Sequence, residues 1–471
     1  MIDLLQTFLS QHALAVAAAC LAILSVTLSA PARSGHSFYE GKSESGEAPG
    51  LWTLTLSQVT TWIFARSLMN AAILGFFYGI WGTLAYAAYY LSFLTGGAII
   101  DSLRFRHGFT SVQAFLKARF GSIGTHCYNV VIGLRLVSEV FANVLVIGIL
   151  FGASGSQDYV TAVLLFSSVT LLYSMVGGLR ASLRTDVVQM AIFLVVLLIL
   201  GGYAFFADLP SWAAITAKPF VISEPGPILL LVALLQIWSY PLHDPVMMDR
   251  GFLADRETTR RSFLHATWIS SLCMVAFGLL GVFAGHNAIE GEAMEPALTR
   301  IMGETAMFFF QAALLVSAMS TLDSTLASSA KLIAIDMQRM APTLRNGRII
   351  MLGFMLAGLA MVFWGNDDLF SAVAVSGTAS LYLAPVVLFS LWGGRTDIPV
   401  WSYLSTFVLA VAGSILYFTE SSGHSAWLGE AHKYTKLLWI GLAIMGSGCV
   451  LFALGGLQQR LRVRQAQVSP I

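Results

Sequence analysis

Long apolar runs separated by short polar stretches repeat along almost the whole chain. About 20 apolar residues suffice to cross a bilayer, and runs of that kind occur near 9–30, 52–76, 78–101, 122–152, 157–178, 182–207, 226–249, 262–288, 303–334, 346–365, 368–392, 399–419 and 434–457. The pattern predicts an all-α polytopic membrane protein with about 13 transmembrane helices. No polar stretch between the runs is long enough for a separate soluble domain, so residues 1–471 read as one integral membrane domain.

Composition agrees: 57% of the residues are hydrophobic and 11% charged, against roughly a quarter charged in ordinary soluble domains. Lys and Arg collect in alternate loops, as expected for segments left on the cytoplasmic side. They occur at Arg33 and Lys42, at Arg104, Arg106, Lys117 and Arg119, at Arg180 and Arg184, and at Arg250, Arg256, Arg260 and Arg261. The series continues at Lys331, Arg339, Arg345 and Arg348, at Arg395, and at Arg460, Arg462 and Arg464. The alternation predicts a multi-pass protein of the cell (inner or plasma) membrane with its N-terminus outside and its C-terminus cytoplasmic. The first run has a rival reading as a cleaved signal peptide, because "TLSAPA" resembles a cleavage site. A retained helix is favoured, since the positive charge follows the run, at Arg33, instead of preceding it. Cys20, Cys127, Cys273 and Cys449 lack metal-ligand spacing, and a net charge of +1 with no aromatic-basic cluster gives no sign of nucleic-acid binding.

Ionisable residues within the apolar runs change the picture, because each is costly in hydrocarbon and by default functional. They are Arg66, Arg135, Glu139, Asp186, His243, Asp244 and Asp323. Arg135 and Glu139 are one helical turn apart and can pair. Arg66 has no partner in its own helix, so the expected central cluster is more positive than negative and invites a small anionic or zwitterionic solute. In "WSYPLHDPVMMDR", residues 238–250, Pro241 and Pro245 interrupt a hydrophobic span. Interrupted helices near the midplane are where secondary transporters bind solute and coupling ions; a plain proline kink is the simpler alternative.

The segment "VSAMSTLDSTLASSA", residues 316–330, concentrates hydroxyls in an otherwise lipid-like helix. Ser317, Ser320, Thr321, Ser324 and Ser328 follow helical three-to-four spacing on one face. Close helix packing would use such a stripe, but packing does not require the carboxylate of Asp323. Oxygen ligands of this kind suit a hard cation such as sodium.

The stretch "GGLRASLRTDVVQMAIF", residues 177–193, resembles the signature of the sodium:solute symporter family through Gly177, Gly178, Arg180, Ala181, Thr185, Asp186 and Gln189. "SAMSTLDSTL" resembles the ion-binding helix of the same family. The resemblance implies a LeuT-type 5+5 inverted repeat core. Its first repeat would be residues 52–207 and its inverted second repeat 226–392, with one extra N-terminal helix at 9–30 and two extra C-terminal helices at 399–457. It also implies a sodium site formed by the main-chain carbonyls of Thr60, Ile63 and Ser317 and the hydroxyls of Ser320 and Thr321. Some members hold a second ion with the Asp of the Thr-Asp motif. Here Asp186, Asp323 and Ser324 match that position, where two carboxylates sharing a proton are the alternative.

For the solute, the resemblance aligns Tyr240 with a pocket-gating aromatic and Arg135 with a carboxylate-binding arginine of acid-transporting relatives. Arg66, Arg135, Glu139, Tyr240, His243 and Asp244 are therefore the expected substrate residues. Asp244-Pro245 departs from the family's usual Asn/Asp-Gln pair. The reading is sodium-coupled symport of a small solute, an organic acid or amino acid, with Na⁺ as coupling ion, membrane lipid as the surroundings and no organic cofactor. A proton-coupled symporter and a solute sensor working with a separate output protein are the alternatives. No Ser-His-Asp arrangement or H-E-x-x-H motif points to an enzyme.

Overall fold

The computed structural model describes residues 12–364 and 376–468, and the described residues are helical with no strand. The starts of the spans expected at 9–30 and 368–392 fall outside them. In chain order the principal helices are α1 (Ala13–Leu28), α2 (Leu51–Trp62), α3 (Ala65–Ala88), α4 (Ser92–Ile100), α5 (Val112–Phe151), α6 (Gln157–Phe206) and α7 (Pro225–Gln236). They continue with α8 (Pro245–Arg250), α9 (Arg256–His286), α10 (Glu304–Lys331), α11 (Leu344–Trp364), α12 (Ser376–Trp392), α13 (Val400–Ser421) and α14 (Lys433–Val468). Among the described residues, eight continuous helical stretches are long and apolar enough to cross a membrane.

Helix α6 has 50 residues, about 75 Å if straight at 1.5 Å per residue, more than twice the ~30 Å hydrocarbon core. It is divided at Gly178, whose φ of 58° and ψ of −144° are left-handed. A Cβ there would run into the carbonyl and ring of Phe38, so glycine is required both by backbone conformation and by space. Gly79 divides α3 in the same way, with φ 63° and ψ −149°. The sequence boundary between 178 and 182 begins at Gly178, and Gly79 lies just inside the span expected at 78–101.

Two helices are broken in the interior. Helix α2 ends at Trp62 without a proline, and Ile63 (φ −81°, ψ 76°) and Phe64 (φ −64°, ψ 148°) are extended before α3 begins. Thr61 loosens the last turn by donating its hydroxyl back to the Ser57 carbonyl at 2.7 Å. The freed carbonyls are taken up by side chains from elsewhere: Tyr90 donates to Trp62 O at 3.0 Å, and Ser317 donates to Ile63 O. At the second break, Pro241 and Pro245 separate α7 from α8. Thr95 donates to Ile237 O at 2.6 Å and Tyr128 to Leu242 O at 2.8 Å. Broken backbone persists at membrane depth only where protein or a cavity receives it, and here the protein does.

Helix α10 lies against α2, α5 and α6. Every residue from Ala313 to Lys331 is buried, so the helix is enclosed on all sides and its hydroxyls are not confined to a wet face. Helices α3 and α9 pack through small residues, and a Cβ on Gly281 would collide with the Ala72 carbonyl.

Loops carrying the expected cytoplasmic charges meet at one end of the bundle. Arg104 donates to Gly251 O at 2.9 Å and Ala254 O at 2.6 Å, and Arg339 meets His126 at 3.0 Å. Beside them lies a cavity of about 830 Å³ whose lining includes Lys42, Arg104, Lys117, Lys331, Asp336 and Arg339. In the loop between α9 and α10, Arg300 grips Glu292 with two hydrogen bonds of 2.7 and 2.9 Å, which lowers that carboxyl to about 2. Two residues of the expected loop series are not loop charges. Arg250 and Lys331 are buried, because each finds carboxylates inside the bundle.

Candidate functional site

The α2 break faces the middle of α10. Ser317 reaches the Ile63 carbonyl, and Ser320 Oγ donates to Asp186 Oδ1 at 2.7 Å. Thr321 Oγ1 is fully buried and has no hydrogen-bond partner among the described residues. Thr60 is buried one turn before Ile63, with no hydrogen bond linking its side chain to α10 among the described residues. The structure thus joins Ile63 to Ser317 directly, while Ser320 turns toward α6. The local chemistry is carbonyl and hydroxyl oxygen, the donor set that hard cations take. A buried polar group without a partner calls for an ion or water to satisfy it, and Thr321 provides one, so these residues fit a sodium ion.

One turn further along α10, α6 contributes the Thr185-Asp186 pair. Asp186 Oδ2 accepts from Ser57 at 2.6 Å and from Ser182 and Ser324 at 3.5 Å. Asp323 accepts from Tyr173 at 2.9 Å, Thr185 at 3.0 Å and Ser182 at 2.9 Å. Ser182 and Ser324 hydroxyls lie 2.7 Å apart and tie the two carboxylates together. Asp186, Asp323 and Ser324, expected to form one group, are therefore neighbours. Arg250 was not foreseen here. Its side chain is fully buried, donates to Ser324 Oγ at 2.7 Å and Ser57 Oγ at 3.3 Å, and stands 3.6 Å from Asp186. Ser57, Tyr173 and Ser182 were also missed. The one signal for Arg250 is its place five residues after Pro245, about 7.5 Å along a helix from the break.

On the other side of the α2 break, Arg66, Arg135, Glu139 and Asp244 form a buried quartet, each no more than 3% exposed. Arg66 and Arg135 both pair with Glu139, and Arg135 reaches Asp244 at 3.2 Å. Trp62 Nε1 donates to the same Asp244 oxygen at 2.9 Å, while Met247 N donates to the other at 2.9 Å. Asp244 is the N-cap of α8, so the second break delivers its carboxylate to α5. Two guanidiniums thus face two carboxylates, and the positive excess expected from the sequence is absent. Arg66 and Arg135 also lie over the Phe64 ring, 5.2 and 5.6 Å from its centre. Arg66, Trp62, Phe64, Tyr89, Tyr90 and Tyr240 line most of a cavity of about 30 Å³, room for a water or two. His243 hydrogen-bonds Ser376 on α12 at 2.8 Å; among the described residues, no hydrogen bond joins it to the quartet.

The model of the sodium:solute symporter family matches residues 45–397. The chain belongs to the sodium:solute symporter family. Among its relatives, the sodium/proline symporter of Escherichia coli is 27% identical over 286 residues, 52% of this chain and 55% of that protein. The osmoregulated proline transporter OpuE of Bacillus subtilis is 24% identical over 311 residues, covering 60% of this chain and 62% of the relative. Mouse sodium/glucose cotransporter 1 is 30% identical over 115 residues, 23% of this chain and 17% of that protein. The chain thus spans between 17% and 62% of the length of these relatives. The structure of a Na⁺-coupled sialic acid symporter in a substrate-bound outward-open state superposes with a TM-score of 0.69 at 13% identity, covering 94% of this chain and 97% of that one. A nucleobase-cation-symport-1 transporter in a closed conformation superposes at 0.57, also at 13% identity, covering 90% and 95%. At such identities the likeness establishes the fold, that of the LeuT-type transporters. Within the symporter-family signature, Gly178 makes the turn, Asp186 joins the hydroxyl network and Gln189 donates to Ser25 of α1 at 3.2 Å.

Proposed function

We propose that the protein is a sodium-coupled symporter that moves a small polar solute into the cytoplasm by alternating access. The observation that carries this reading is the buried, unpartnered Thr321 hydroxyl one helical turn from Ser317, whose own hydroxyl meets the Ile63 carbonyl at the α2 break. Sodium is held there by Thr60, Ile63, Ser317, Ser320 and Thr321. Entry of the ion is favoured by about 2.3 kcal/mol per charge for each 100 mV of inside-negative potential. Solute binds across the α2 break, between the Arg66–Arg135–Glu139–Asp244 quartet and the aromatic side chains of Trp62 and Tyr240. Ion and solute each raise the affinity for the other, as binding linkage requires.

The architecture proposed with this function is the 5+5 inverted repeat over 52–207 and 226–392. About 13 crossings follow if the helices divided at Gly79 and Gly178 each cross twice. The end of the bundle holding Arg104, Lys117 and Arg339 is cytoplasmic by the positive-inside rule. For the solute we propose a carboxylate-bearing organic acid or amino acid. The support is two buried guanidiniums facing the break, each with its Nε unpartnered among the described residues, and the presence of a sodium/proline symporter and an osmoregulated proline transporter among the relatives. Because the quartet is balanced, the solute carboxylate must displace an internal one. Tyr240, whose ring Arg135 approaches to 6.0 Å, closes over it.

The test is uptake into vesicles reconstituted with the protein, screening labelled amino acids, organic acids and sugars with sodium or with choline in its place. Sodium-dependent accumulation of a carboxylate-bearing solute supports the reading. Accumulation indifferent to sodium but driven by a pH gradient replaces it with proton coupling.

A further inference from the structure

Arg250 is a permanent cation placed on the ligands of a second one. Its guanidinium is fully enclosed, and its donors go to Ser324 Oγ at 2.7 Å, Ser57 Oγ at 3.3 Å and Val246 O at 3.3 Å, with Asp186 Oδ2 at 3.6 Å. Asp186 accepts from Ser320 of the sodium site proposed above, and Ser324 stands beside Asp186, so a cation leaving that site on the α6 side meets these two side chains. A guanidinium N–H bonded to a hydroxyl takes one of its two lone pairs and sets a fixed positive charge against any cation at the same oxygen, and an arginine does not deprotonate in proteins. The charged groups around it are Asp186 on α6, Asp323 on α10 and Asp249 on its own helix. The oxygens of Asp323 are already taken by Tyr173, Thr185 and Ser182, and Asp249 is bound to Lys331 at 2.6 Å. Among the described residues, Asp186 is therefore the one carboxylate within ion-pair distance of Arg250, at 3.6 Å.

We propose that Arg250 is a tethered cation that competes with sodium for Ser324 and Asp186 and so promotes release of the ion from the α6 end of the site. This rests on the sodium-coupled reading above. Asp249 and Arg250 are consecutive residues at the end of the six-residue helix α8. The first is anchored to Lys331, which lines the large basic cavity together with Asp336. The second reaches the ion ligands. A shift of α8, which begins at the Asp244 break, moves both at once: the guanidinium leaves Ser324 when the anchor at the cavity wall is disturbed, and returns when it re-forms. Sodium and guanidinium then alternate on the same oxygens. The return of Arg250 prevents rebinding as the ion leaves toward the cavity, where Lys42, Arg104, Lys117 and Arg339 disfavour a cation.

The experiment is sodium titration of the purified full chain, with choline chloride keeping ionic strength constant, following the rise in thermal unfolding temperature. In Arg250→Gln the sodium concentration for half-maximal stabilisation is expected to fall about tenfold, within the ordinary range of coupling between sites. Millimolar free guanidinium should restore the wild-type value in that variant and leave wild type unchanged, which a purely structural role of Arg250 would not produce. Arg250→Lys keeps the charge but cannot span Ser57 and Ser324 together, and a smaller fall is expected, which keeps the test available if the Gln variant does not fold. Wild type that responds to sodium, with variants whose half-maximal concentration is unchanged or higher, overturns the competition alone. Wild type indifferent to sodium overturns both this proposal and the sodium-coupled reading beneath it.

Discussion

A buried hydroxyl without a partner costs about 1–3 kcal/mol, and Thr321 Oγ1 is such a group. Thr321→Val preserves its shape and removes the unmet hydrogen bond. The unfolding temperature without sodium should therefore hold or rise, while the sodium concentration for half-maximal uptake should increase; unaltered sodium dependence would remove Thr321 from the ion site. The quartet obeys a different rule, because breaking a buried ion pair strands the remaining charge. Glu139 is shared by Arg66 and Arg135, so Glu139→Gln should destabilise by about 3–5 kcal/mol, read as a lowered unfolding temperature. Arg66→Gln leaves Arg135 to neutralise one carboxylate, and its expected effect is a higher half-saturating solute concentration with the sodium dependence retained. Reading residues one by one found most of these groups, since an ionisable side chain in an apolar run stands out. It overstated the positive charge because nothing in the linear order says that Asp244 reaches Arg135.

The elements show why the site is where it is. Helix α2 stops inside the bundle with no proline to stop it, and the break is sustained by Tyr90 and Ser317 from other helices. A break held by distant donors leaves little local sequence trace, whereas Pro241 and Pro245 mark the second break plainly. Asp244 has two jobs there, as N-cap of α8 and as partner of Arg135, and substitutions separate them. Asp244→Asn keeps a good capping side chain but removes a buried charge, so it should weaken solute binding and also destabilise by about 3–5 kcal/mol, because Arg135 loses a partner. Asp244→Ala loses the cap as well and should cost about 1 kcal/mol more, measured as the difference in unfolding free energy between the two variants. The Gly178 turn is testable in the same way. Gly178→Ala places a side chain in left-handed backbone against Phe38, and a loss of about 1–2 kcal/mol from conformation alone is expected, with the clash adding to it. A variant of wild-type stability would show that the turn relaxes freely.

For the whole molecule, the proposed transport of one sodium ion with a zwitterionic amino acid moves one net positive charge and is electrogenic, whereas a solute anion of charge −1 would cancel it. With sodium outside the vesicles, an imposed inside-negative potential should raise the initial rate of amino-acid uptake, and a rate independent of potential would argue for electroneutral cotransport of an anion. Family membership and fold are legible in the sequence because the bilayer imposes a simple rule: chain that crosses it must be apolar, helical and internally hydrogen-bonded. Residues that break the rule, such as Asp186 in its signature and Asp323 among its serines, advertise themselves. Partnership obeys no such linear rule. The sequence by itself determined that the chain is a succession of apolar helices, where α7 gives way to α8, and which residue types gather on α10. Only the tertiary structure decided that Arg250 leaves the loop charges to stand against Asp186, that Asp244 balances the two arginines, and that Ser57, Tyr173 and Ser182 complete the network. The reason is physical: burial of a charge is decided by what lies within a few ångströms in space, and residues 57, 186, 250 and 324 become neighbours only when four separate helices pack.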